Sequence, residues 1–237
     1  MSLETLEIIH TASQLVTMPF AIAFSMWYSR RYEIDRTVAV KYSAALVLIL
    51  YVFSHGCNWF GDLIHFPIAV NSARTYLFIP IFTWILGKAW KIDALRGADF
   101  ATPLCFFARG ICLIGCNLIG CGQAMPCDWG IYSPNYGCRV FPMDLIDLLA
   151  TFAIGFISLI YAKRLNYRGN GRVFALAMIG LGMVRSLLQF SSTDIYFGIR
   201  GLNDETIISI ISIIMGTMIF QHNEKVKLNG GFENANQ

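Results

Sequence analysis

Two arginines stand inside apolar stretches long enough to cross a bilayer: Arg109 in Phe100–Gly120 and Arg185 in Val173–Phe190. A guanidinium near the bilayer centre costs about 3 to more than 10 kcal/mol, so such residues face a protein interior or a wet cavity and meet an anion there. Two of them in one chain imply a buried anion site. Arginine suits an anion of the phosphate or carboxylate type because it stays protonated and presents a planar fork of donors. Gln189 lies one helical turn beyond Arg185 on the same face. Asp144 and Asp147, spaced i and i+3 at the start of another apolar stretch, supply carboxylates, and His55 supplies an imidazole. Each group also has a plainer reading. Either arginine is then a structural partner of Asp144 or Asp147, Asp144 and Asp99 cap helices, and His55 and His65 sit at an interface beside Trp59 and Phe60.

Besides Cys105, the cysteines divide in two. Cys112 and Cys116 follow Arg109 by three and seven residues, beside Gly110 and Gly115, where buried thiols serve as small packing residues. Cys57, Cys121, Cys127 and Cys138 fall in connections, and Cys127 with Cys138 would close an ordinary loop as a disulfide. An odd total of 7 leaves at least one thiol free. No CxxC and no zinc-type spacing with histidine occurs, so no metal is expected.

The elements that must position these groups are helices. Of 237 residues, 56% are hydrophobic and only 14% charged, and the mean hydropathy is +0.55. That balance places the chain in the membrane class and not among soluble domains. Seven spans are predicted: Ile8–Tyr28, Val38–Phe53, Tyr76–Trp90, Phe100–Gly120, Met143–Tyr161, Val173–Phe190 and Thr206–Phe220. The fold class expected is an all-α polytopic membrane protein, a single transmembrane domain over residues 1–237. Glu4 and Glu7 stand where a signal peptide has positive charge, so the first span is expected to remain.

Charge sets the expected orientation. Thirteen of the 18 Lys and Arg residues lie in alternate connections, after spans one, three, five and seven, while the opposite connections hold only Arg74, Arg139 and Arg200. By the positive-inside rule the N-terminus is outside and the C-terminus cytoplasmic. The net charge of +3 is then a topology signal, and nucleic acid is not an expected partner. Walker A and GxSxG patterns are absent, span seven holds no lysine for a retinal Schiff base, and no repeat relates the two halves.

From Asp99 onward the chain resembles the prolipoprotein diacylglyceryl transferase family. ADFATPLCFFARGICLIGCNLIG is similar to that family's Asp, Pro and GRxGNFxNGxxxG stretch, with Asp99, Pro103, Arg109 and Gly120 in register. DWGIYSP (Asp128–Pro134) resembles WGxxFP, and VFPMDLID (Val140–Asp147) resembles HPxQLYE. Gly171–Asp194 is similar to GxxFxxxLxxYGxxRFxxExxRxxD, with Gly182, Arg185, Phe190 and Asp194 placed as the pattern requires. The chain departs from the family at Cys112 (an Asn there), at Gln189 (a Glu), at Ser192 (an Arg) and at the HGG segment, which is missing.

The resemblance implies transfer of a diacylglyceryl group from an anionic phospholipid, phosphatidylglycerol, to a cysteine thiol of a lipoprotein precursor peptide, in the bacterial cell (inner) membrane and without a cofactor. It assigns substrate binding to Arg109, Arg185, Gln189, Cys112 and Gly120. The base for the thiol falls to His55, Asp144 or Asp147. Two other readings stand beside it: a phospholipid-headgroup-binding membrane protein without catalysis, and a membrane thiol–disulfide protein.

Overall fold

The computed structural model describes residues 3–63, 78–120, 124–192, 195–196, 199–200 and 204–233, with side chains described for 4–53, 78–120, 124–192 and 205–222. Seven α-helices occur among them: α1 (Leu3–Tyr28), α2 (Arg36–Leu63), α3 (Ile79–Trp90), α4 (Ala94–Ile119), α5 (Met143–Arg164), α6 (Arg172–Gln189) and α7 (Asp204–Glu233). All but α3 are long and apolar enough to span a membrane. The 12 residues of α3 reach about 18 Å, less than a hydrocarbon core. The span expected over Tyr76–Trp90 begins in part outside the described residues.

The helix boundaries follow local chemistry. The Asp35 carboxylate accepts from Thr37 N at 2.9 Å and Val38 N at 3.1 Å and so starts α2. Asp93 does the same for α4, accepting from Leu95 N and Arg96 N at 3.0 and 3.1 Å. This cap opens α4 six residues before the expected start at Phe100. Asp99, expected to cap the helix it lies on, instead caps another. It is buried within α4 and accepts from Gly171 N at 2.8 Å and Phe174 N at 2.9 Å, at the start of α6. Gly171 is the N-cap residue there, with φ 82°, a conformation that favours glycine.

Helix α4 is the axle of the bundle. It packs against α1, α3, α5 and α6, and every residue from Gly97 to Gly110 is buried. Around its first turns Tyr28, Tyr32, Tyr42 and Phe100 form an aromatic core, with ring centroids 5.4 to 6.3 Å apart. Helix α7 lies closely on α6, where a Cβ at Gly182 would collide with the α7 backbone at Ser209. Outward faces are apolar: Leu149, Phe156, Ile157 and Ile160 on α5 and Ile207, Ile211, Ile214 and Met218 on α7 are all exposed. Such faces suit lipid as their solvent, since each helix satisfies its own backbone.

Between α4 and α5 the chain forms an antiparallel hairpin, β1 (Pro126–Ser133) with β2 (Cys138–Val140), closed by Gly137 at φ 64°. Ser133 faces Cys138, and Pro126 and Ile131 both face Val140, so residues 127–130 bulge from the ladder. A second small pair, β3 (Ile195–Tyr196) with β4 (Ile199–Arg200), joins α6 to α7. A bridge between Ala124 and Ser192 ties the two connections at one end of the bundle.

Candidate functional site

The two arginines predicted to mark a buried anion site meet on one carboxylate. Arg109 from α4 donates through Nη1 to Asp147 Oδ1 at 3.1 Å and through Nη2 to Asp147 Oδ2 at 2.6 Å, a two-point fork. Arg185 from α6 donates through Nη1 to the same Oδ2 at 3.0 Å. Thr151, one turn further along α5, accepts from Arg109 Nη1. Glu205 at the start of α7 accepts from Arg185 Nη2 and, at 2.6 Å, from Gln189 Nε2.

Four helices therefore contribute to a single network of two guanidiniums and two carboxylates. Side-chain exposure rises along it, from 1% at Arg109 and 4% at Asp147 to 10% at Arg185 and 18% at Glu205. The network is sealed at Arg109 and reachable from the Glu205 side. The buried Arg185 Nε–H has no hydrogen-bond partner among the described residues, which leaves this guanidinium a donor beyond its two carboxylates.

Of the expected site residues, the structure brings together Arg109, Arg185, Asp147 and Gln189. Asp144 is half-buried in the first turn of α5, where Pro142 and not Asp144 is the N-cap residue. Cys112 is half-buried three residues past Arg109, and its carbonyl oxygen lies 3.4 Å from Ser13 Oγ. Gly120 ends α4 with φ 77°, donating to Cys116 O at 2.8 Å, and Ser133 of the hairpin packs directly on it. The side chain of His55 lies outside the described residues, as do Cys57 and Cys121.

The expected Cys127–Cys138 disulfide is not formed; both thiols are free. The hairpin register is the physical reason. Cys138 faces Ser133, and Cys127 stands in the bulged segment beside Pro126, so the two are not cross-strand neighbours.

Three contributors escaped the sequence reading. Glu205 lies one residue before the expected start of span seven, and its carboxylate at the mouth of an apolar helix was the available signal. Thr151 is one threonine in an apolar helix and carries no such signal. His10, on α1, places its Nδ1 3.9 Å from Cys116 Sγ on α4. Only the packing of two helices 106 residues apart reveals that contact.

A model of the family described as prolipoprotein diacylglyceryl transferase matches residues 38–222. A protein named phosphatidylglycerol–prolipoprotein diacylglyceryl transferase from Clostridium tetani (strain Massachusetts / E88) is 27% identical over 150 residues. The match covers 60% of this chain and 58% of that relative. A second, phosphatidylglycerol–prolipoprotein diacylglyceryl transferase 2 from Clostridium perfringens (strain 13 / Type A), is 27% identical over 141 residues, with 56% and 54% covered. The chain thus spans somewhat more than half the length of the relatives it matches.

Proposed function

This chain belongs to the prolipoprotein diacylglyceryl transferase family, and on that footing we propose that it transfers a diacylglyceryl group from phosphatidylglycerol to the cysteine thiol of a lipoprotein precursor. The observation that carries the reading is the convergence of Arg109 and Arg185 on one anionic oxygen inside an apolar bundle. In this reading an oxygen of the lipid phosphate takes up the position between the two guanidiniums that a carboxylate oxygen of Asp147 holds in the free protein. The names of the two relatives support the same donor and acceptor.

In the reaction, the thiolate sulfur forms a bond to the terminal glycerol carbon of the diacylglyceryl unit. The bond from that carbon to the phosphate oxygen breaks, and glycerol phosphate leaves with the electron pair. Charge grows on the leaving oxygen within a medium of low dielectric, where fixed guanidiniums stabilise it strongly. Gln189 adds a neutral donor beside Glu205 at the more exposed end of the network. Asp147 must yield part of its hold on the arginines as phosphate enters. The alternation of basic connections supports an orientation with the N-terminus outside and the network in the outer half of a bacterial cell membrane.

Complementation tests this reading. The chain is expressed in cells depleted of their own transferase, and a lipoprotein precursor is followed by its mobility and by labelled lipid. Appearance of the lipidated form is the expected result, and its absence at normal expression ends the enzymatic reading. One observation favours a second reading, lipid binding without transfer: both arginines are present while the family's HGG segment is missing and Gln189 stands in place of a Glu. A chain that is stabilised by phosphatidylglycerol yet fails to complement would be that binder.

A further inference from the structure

Away from the arginine network, α1 and α4 bring an imidazole onto a thiol. His10 presents Nδ1 3.9 Å from Cys116 Sγ, and its Nε2 lies 3.1 Å from the side-chain amide nitrogen of Gln14, one turn along α1. Gly115 permits the approach: a Cβ there would come within 2.7 Å of His10 Cα and 2.8 Å of Nδ1. Ser13 pins the crossing, its Oγ donating to His10 O at 2.7 Å and lying 3.4 Å from Cys112 O. One ring nitrogen is thus held by an amide and the other meets sulfur, the arrangement by which a base is oriented toward a thiol. His10, Gln14 and Cys116 are neither fully buried nor fully open to solvent.

We propose that His10, oriented by Gln14, is a thiol-activating base that accepts the proton of the acceptor cysteine, with Cys116 resting in that thiol's place when substrate is absent. The acceptor role builds on the transferase reading above. Placement supports it. Cys116 follows Arg109 by seven residues, close to two whole turns, so it shares the Arg109 face of α4 about 10 Å further along. A base nitrogen, an attacking sulfur, the carbon and oxygen that exchange bonds, a phosphorus and a guanidinium in contact together span roughly 10–12 Å.

The step requires neutral imidazole with its hydrogen on Nε2, donated to the Gln14 side-chain oxygen in the amide orientation that turns Oε1 toward the ring. The S–H proton moves to Nδ1, and the sulfur's electron pair forms the new C–S bond. The C–O bond breaks, its electron pair goes to glycerol phosphate, and the proton on His10 passes to that leaving group. Among the described residues, the titratable groups that flank His10 on these two helices are Glu7 one turn earlier on α1 and Cys112 and Cys116 on α4. The last turns of α2 carry His55, Cys57 and Asp62, whose side chains lie outside the described residues.

The test uses the purified full chain in phosphatidylglycerol vesicles. A maleimide alkylates it at neutral pH, and peptide mass spectrometry follows Cys116 against exposed Cys138 in the same molecule. In His10→Gln the Cys116 rate should fall about 10-fold relative to Cys138, and in Gln14→Leu by a smaller factor. In parallel, transfer to a precursor peptide should lose about 100-fold in kcat in His10→Gln, with KM for lipid retained and the deficit shrinking as pH rises. Unchanged alkylation of Cys116 in both variants overturns the pair. Full transfer by His10→Gln across the pH range overturns its role toward the acceptor while leaving the transferase reading intact. A wild type that transfers nothing, with alkylation still slowed in both variants, removes the transferase reading and supports the thiol-activating pair.

Discussion

Arg109 grips Asp147 with both terminal nitrogens, at 3.1 and 2.6 Å, across the contact between α4 and α5. The same carboxylate also receives Arg185, so one acid serves two cations. Buried partners of this kind are costly to remove singly, because the survivor is left charged and poorly solvated.

Asp147→Ala should therefore be the most damaging single change in the network, costing about 3–5 kcal/mol. The double variant Asp147→Ala with Arg185→Ala should recover only part of the loss, because Arg109 has still lost the carboxylate opposite its charge. Thermal unfolding in detergent reads both. A double variant as stable as the wild type would show that Arg109 finds its compensation elsewhere.

Substituting Lys for Arg109 or Arg185 keeps the charge and loses the planar fork. The fold should survive, with a thermal midpoint near that of the wild type, while the stabilisation conferred by phosphatidylglycerol shrinks. Phosphatidylcholine serves as the neutral control. Equal stabilisation of wild type and both Lys variants by phosphatidylglycerol would remove the phosphate from this site.

Asp99 caps a helix other than its own, through Gly171 N and Phe174 N. Asp99→Ala should cost about 1–2 kcal/mol, in the upper range for a lost cap, while Asp99→Asn retains most of the stability. Hydrogen exchange localises the effect: amides at the start of α6 should lose protection in the Ala variant before those of α5.

Orientation is tested by tagging. A reporter fused after Asn229 should behave as cytoplasmic, and an epitope inserted at Gly137, a turn position with open space around it, should be accessible from outside. The opposite result at either point reverses the bundle in the membrane.

Much of the site was legible because charge inside an apolar run has few explanations. Arg109 and Arg185 declared themselves that way, and helical periodicity added Gln189. Asp147 was legible as a candidate, but not as the acid that both arginines share, because that depends on how α4, α5 and α6 are rotated. Glu205 was missed for a related reason: at the end of an apolar helix a carboxylate reads as solvated until the neighbouring helix is placed. His10 and Cys116 meet only because Gly115 lets two helices touch, a steric fact with no local trace. The disulfide failed differently. Loop length allowed it, but pairing in a hairpin follows register, and the bulge at 127–130 sets Cys127 apart from Cys138.

The Asp99 tether also acts as a levelling datum. Helices α4 and α6 run in the same direction from it, and Arg109 stands ten residues beyond Asp99 while Arg185 stands eleven beyond Phe174. At 1.5 Å per residue these arms are about 15 and 16 Å long, so both guanidiniums arrive at one depth, facing each other across a single anion. Lengthening either arm by one residue would also swing its arginine by about 100° around its helix. The two segments are thus matched as a pair of rulers in turn as well as in length, and a one-residue deletion in one would not be repaired by a deletion in the other, since each would rotate its own arginine away from the shared carboxylate.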